Sequence, residues 1–169
     1  GDVVGPSGFV VELRPIGDEN YFLYAATPTA TDSPTTGPRE VRLVSRPVGW
    51  PTHEDFEVVD SQLPELDEGQ VRVRNTVMSV DPYMRGRMSA AKSYADPYAL
   101  GEAMTGGAVG VVEESRADGL AVGDHVLHGF GWRQVAVLDA TAGRKVDPVA
   151  PDSAYLGVLG GNGLTAYAG

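Results

Sequence analysis

The chain contains no cysteine, which excludes disulfides, a thiolate nucleophile and any cysteine-ligated zinc or iron–sulfur site. It has no apolar run long enough to cross a bilayer, and its first residues carry neither the basic start nor the apolar stretch of a secretory signal. Basic charge is also scarce. Thirteen Lys and Arg face 23 Asp and Glu, a formal charge of -10, and such a field repels phosphate backbones and anionic headgroups. The expectation is a soluble, cytoplasmic protein that binds neither nucleic acid nor membrane. A length of 169 residues leaves room for one main domain with a sizeable core, but not for two full enzyme domains. What is abundant is glycine, at 22, and proline, at 12, too many for a helical bundle and suited to short strands joined by frequent turns. A mainly β fold with a few short helices is expected.

Apolar runs mark the strands. Val10, Val11 and Leu13, then Tyr21 to Tyr24, flank the turn-like Gly17-Asp18-Glu19-Asn20 and read as a hairpin, which alone is marginal. Thr27 to Pro38, crowded with Thr, Pro, Ser and Gly, reads as an extended linker. We therefore expect a hairpin-like segment and linker over residues 1–38, which is open to reading as a natural extension, an unrelated fused piece or part of the barrel, and the main domain over residues 39–169. There, Val41 to Val44, Phe56 to Val59, Val71 to Val80, Ala108 to Val112, His125 to Leu127 and Val135 to Leu138 follow at close spacing as the strands of a compact barrel. In the clearest of them Val71, Val73 and Val77 alternate with Arg72, Arg74 and Thr76, one face to the core and one to water. Asp81-Pro82 ends that strand, because proline cannot donate to a ladder. Pro151-Asp152-Ser153 is a helix start, with Tyr155, Leu156 and Leu159 at helical spacing before Gly160-Gly161 interrupts, and a second helix is expected from Leu164 to Ala168.

Most chemical motifs dissolve on inspection. His125 and His128 lie three apart on an expected strand and so point to opposite faces, which argues against a shared metal site with Asp81 or Glu102. Gly161-Asn162-Gly163-Leu164-Thr165-Ala166 matches the dinucleotide pattern by letter, but no strand-and-helix unit surrounds it. Gly106, Gly107 and Gly110 lack the Gly-Lys-Ser/Thr of a phosphate loop and read as close backbone packing. Trp50 and Trp132 read as packing residues. Gly160, Gly161 and Gly163 serve equally as a flexible bend.

Three segments nevertheless arrive together: Ser79-Val80-Asp81-Pro82-Tyr83-Met84-Arg85, then Met104-Thr105-Gly106-Gly107-Ala108-Val109-Gly110 with Gly123-Asp124-His125-Val126, and Gly163-Leu164-Thr165-Ala166-Tyr167. From Arg39 to Gly169 the chain resembles the NADP-dependent alkenal/one reductases, double-bond reductases of the zinc-independent medium-chain dehydrogenase/reductase superfamily that include the prostaglandin reductases. The resemblance implies a GroES-like partial β-barrel that forms the substrate domain, a separate Rossmann domain that holds most of NADPH, and no metal. It implies reduction of the C=C bond of a small enone, enal or quinone, and a homodimer in the full-length protein. Asp81 stands where zinc-using relatives place a cysteine ligand. Tyr83 is the catalytic candidate, a phenol able to donate to the substrate carbonyl, against the plainer reading of a packed rim aromatic. Asn162 and Thr165 are the candidates for contact with the nicotinamide end of the cofactor. The chain alone is expected neither to bind NADPH tightly nor to turn over. A different class stays open, a noncatalytic binding or assembly module built on the same barrel.

Overall fold

The structure is a computed structural model that describes residues 2–4, 9–15, 21–28, 37–91 and 95–168, the first three segments through their backbone. Its strands are β1 (Asp2–Val4), β2 (Phe9–Pro15), β3 (Tyr21–Pro28), β4 (Arg39–Leu43), β5 (Phe56–Asp60), β6 (Gln70–Val80), β7 (Ala108–Ser115), β8 (His125–His128), β9 (Val135–Asp139) and β10 (Arg144–Val146). Three short helices join them: α1 (Tyr83–Arg87), α2 (Asp152–Leu156) and α3 (Gly161–Ala168). The result is a mainly β, GroES-like partial barrel. Every expected strand of the main domain is present, and β10, too short and charged to stand out, is an addition.

Strand β6 organises the molecule. One edge pairs antiparallel with β7, and the other pairs with β9 over Gln70 to Arg74 and with β3 near its far end. The sheet continues from β7 through β8 to β10, while β4 and β5 form a separate antiparallel pair. β4 is tied to the rest by the Val41 amide donating to the Trp132 carbonyl at 2.8 Å. β2 and β3 pair antiparallel, with Leu13 opposite Leu23. The expected turn at residues 17–20 and most of the expected linker lie outside the described residues, and Thr27 and Pro28 belong to β3 rather than to a linker.

Alternation along β6 holds only for its first half. Opposite Asn75 and Val77 stand Gly110 and Val109, so Thr76 is an extra residue, a β-bulge that exchanges the two faces downstream. Val71 and Val73 pack with Val112, Val126 and Leu138 in the barrel core. Val77, expected on the same face, packs instead with Val109, Val146 and Tyr155 under α2. Between them Asn75 is buried, its amide donating to the carbonyls of Phe130 at 3.0 Å and Arg133 at 2.8 Å. A bulge is a property of pairing, and so the strand's own sequence does not announce it.

Glycine permits two close approaches. A Cβ on Gly110 would overlap the Arg74 carbonyl oxygen and lie 2.6 Å from Val73 Cγ1, in keeping with the expected tight packing. At Gly163 a Cβ would overlap the Val158 carbonyl, so this residue is required by contact rather than by a flexible bend. Helix α2 ends at Leu156, one turn short of the expected stop, because Gly157 leaves the helical region. Leu159 is therefore outside it and half-exposed, and α3 starts earlier than expected, at Gly161.

Candidate active site

The site is assembled where β6 leaves the sheet. Asp81-Pro82 turns the chain, the Asp81 carbonyl accepts from the Met84 amide at 3.0 Å, and a single helical turn follows. Tyr83 is thus the first residue of α1 and not part of a plain turn. Met84 is fully buried and packs with Leu43, Met88 and Met104. Two of its own arginines fasten the turn to neighbouring segments. The Arg85 guanidinium donates to the carbonyls of Gly49 at 2.6 Å and Pro47 at 3.2 Å. Arg87 donates to the Asp96 carbonyl at 2.8 Å and to Thr105 Oγ1 at 3.0 Å, and its guanidinium lies 4.1 Å above the Tyr98 ring. Burial pushes the Tyr98 hydroxyl up to about 12, so at neutral pH it is a fixed donor to the Thr105 carbonyl, at 2.7 Å. An isolated helix of five residues would not form. These contacts make one here.

Tyr83, half-buried, packs against the Met84 cluster and also faces an open cleft of about 800 Å³. The cleft continues past Ser79, Asp81 and Gly107 to Leu127, Arg144 and the α2 residues Tyr155 and Leu156. Gly161 and Asn162 of α3 form its far wall. The structure therefore brings Tyr83 and Asn162 to one cavity. Thr165 is not on its lining; its hydroxyl donates to the Gly161 carbonyl at 2.9 Å. Asp81 faces the cleft with Oδ2 accepting the Ser79 hydroxyl at 2.6 Å.

Helix α2, which carries Tyr155 and Leu156, is fastened to the sheet through Asp152. One carboxylate oxygen accepts from His125 Nδ1 at 2.7 Å and the other from the Thr76 hydroxyl. His128 points the other way, into the core, where burial lowers it from 6.5 to about 4. Its Nδ1 accepts the Phe130 amide at 3.1 Å. The two histidines do occupy opposite faces, and among the described residues no cluster of three His, Asp or Glu could hold a metal ion. Trp132 packs as expected, stacked on Phe56 with centroids 6.5 Å apart, although its backbone is left-handed at φ 59°. Trp50 does not: it is 89% exposed, on a loop that the Arg85 bonds hold by its backbone.

Residues 39–146 match the family described as the N-terminal domain of oxidoreductase. The chain belongs to this family. It is 41% identical over 128 residues to the NADPH-dependent curcumin reductase of Escherichia coli, covering 75% of this chain and 37% of that protein. To the NADP-dependent 2-alkenal reductase of Nicotiana tabacum it is 35% identical over 138 residues, covering 78% of this chain and 40% of that protein. The crystal structure of CurA from Vibrio vulnificus in complex with NADPH superposes with a TM-score of 0.71 at 44% identity, covering 76% of this chain and 39% of that one. The chain thus spans about two fifths of the curated relatives it matches. The residues fit an NADP cofactor at one point. Asn162 lies on the cleft wall with an amide unbonded among the described residues, and such an amide both donates and accepts as a carboxamide ligand requires. Thr165, its proton committed to Gly161, retains only an acceptor. As cleft residues the sequence did not single out Arg144, Leu127 and Tyr155, which β10, β8 and α2 respectively bring there.

Proposed function

We propose that the chain is the substrate-domain portion of an NADPH-dependent reductase acting on the C=C bond of a small conjugated enone, enal or quinone. The observation that carries this reading is the single cleft shared by Tyr83 and Asn162, on a chain whose relatives are named as NADPH-dependent curcumin and 2-alkenal reductases. Reduced nicotinamide, when bound, supplies hydride to the alkene carbon β to the carbonyl. The enolate so formed takes its second hydrogen as a proton from water, and this chain's residues bind and orient the reactants. Tyr83 donates its phenol proton in a hydrogen bond to the carbonyl oxygen, where negative charge grows as the enolate forms, and its ring presses on the flat conjugated system. The rigid mounting of α1 keeps that donor in place before reaction, which is what makes such a contact effective. Asn162, with Thr165 as a weaker acceptor, orients the nicotinamide end of the cofactor. Asp81 accepts the Ser79 hydroxyl and takes no part in this scheme.

We take residues 39–169 as this domain; residues 1–38 lie outside the family match, and their strand β3 joins its sheet along β6. The acidic net charge supports a soluble, cytoplasmic enzyme of small molecules, dimeric in its full-length form. The test is Tyr83→Phe in the full-length enzyme, assayed by NADPH consumption with an enone. Loss of an oxyanion donor predicts a drop in kcat of about a hundredfold; unchanged turnover removes the hydroxyl from the mechanism.

A further inference from the structure

The distribution of positive charge in the chain is uneven. Most arginines are tied to chain oxygens: Arg42 to Glu40, Arg72 to Glu114, Arg74 to Glu113, and Arg46, Arg85, Arg87, Arg116 and Arg133 to carbonyls. Lys145 pairs with Asp124 at 2.7 Å. Arg144 alone, among the arginine side chains described, has neither an ion pair nor a hydrogen bond, and it is also the one cation on the cleft lining. Its backbone is fixed by β10, paired to Leu127 of β8. The one carboxylate on the lining, Asp81, already accepts a proton donor from Ser79.

A guanidinium carries five donors in a planar fork that fits a carboxylate or phosphate bidentately. In a chain of net charge -10 a cation facing a binding cavity is the one local feature that draws an anion towards it. We propose that Arg144 receives an anionic oxygen group, a carboxylate or a phosphate, of a ligand in the cleft, which makes it a specificity-determining residue at the side of the cavity formed by Leu127 and Tyr155. The proposal rests on the reductase reading for what the cleft holds, and deepens it. The preferred substrate is a conjugated carbonyl compound that carries a carboxylate remote from the reacting double bond; alternatively the anion is a phosphate of the cofactor.

The probes are 4-carboxybenzalacetone and its methyl ester, offered to the full-length protein. Binding is followed by quenching of tryptophan fluorescence, which requires no turnover, and kcat/KM is measured beside it. The wild type is expected to prefer the acid about tenfold, as a single charge-assisted pair allows, and the preference should shrink with added salt. In Arg144→Gln it should vanish, and in Arg144→Lys survive in part, since a point charge remains but the fork is lost. If Arg144→Gln instead weakens NADPH binding about tenfold and leaves the acid-to-ester ratio untouched, the anion is the cofactor's. Should the substitution change neither ratio nor NADPH affinity, Arg144 recognises no anion and the proposal falls. Binding that follows this pattern without reduction of either probe would overturn the reductase reading and leave the anion subsite standing.

Discussion

Acidification gives a sharp test of how the core is built. His128 is 5% exposed on the inner face of β8, and burial, with a smaller contribution from Arg133, lowers it from 6.5 to about 4. The folded chain therefore resists the proton that the unfolded chain accepts, so stability is full above pH 6.5 and falls as the pH drops from there towards 4. That difference is worth about 3 kcal/mol across the window, with a steepest slope near 1.4 kcal/mol per pH unit. Two lowered carboxylates do not blur the result. Asp55, bonded to Ser45 and Thr52, and Asp124, bonded to Lys145, are both lowered from 3.8, and what they contribute is lost only at lower pH. Urea unfolding between pH 7 and pH 4, followed by tryptophan fluorescence, measures the slope. His128→Asn keeps an acceptor for the Phe130 amide but cannot titrate; it should be less stable at pH 7 and nearly flat down to pH 4.5. Equal slopes for the two proteins would show that His128 is not the buried proton acceptor and would refute the reasoning.

Other substitutions address single contacts. Gly110→Ala forces a methyl group onto the Arg74 carbonyl, and should lower stability by about 2 kcal/mol or more, read from the urea midpoint. Met84→Ala empties a fully buried site at a cost of about 3 kcal/mol in the same measurement. Asp152→Ala removes the acceptor of both His125 and Thr76, so hydrogen exchange should quicken at the backbone amides of α2 while those of β6 stay protected.

The strands of the main domain were legible because each is a short apolar run bounded by turn residues, a signal that depends on local sequence alone. The phase of β6 was not, since Thr76 becomes a bulge only against Gly110 and Val109. Arg144-Lys145-Val146 is too short and too charged to read as a strand; with it the cationic side of the cleft escaped notice. The helical turn at Tyr83 follows a proline and is made by its own Arg85 and Arg87 reaching acceptors on Pro47, Gly49, Asp96 and Thr105, and the pairing of those residues is not written in the turn's own sequence. Trp50 misled for a related reason: aromatic character argues for burial, but Arg85 holds that loop through carbonyls and leaves the indole outside. Tyr83 and Asn162 were reachable through resemblance to a family, and Leu127, Arg144 and Tyr155 beside them in the cavity were not.

The extra residue in β6 reaches further than the ladder it interrupts. A strand is a ratchet with two settings, and Thr76 selects the setting in which Met78 enters the interior and Val77 meets α2. Remove that one residue and every later side chain is handed to the opposite side, so that α1, which begins at Tyr83, would leave the sheet in the wrong orientation. The aim of the phenol is thus decided well upstream, in the middle of a strand.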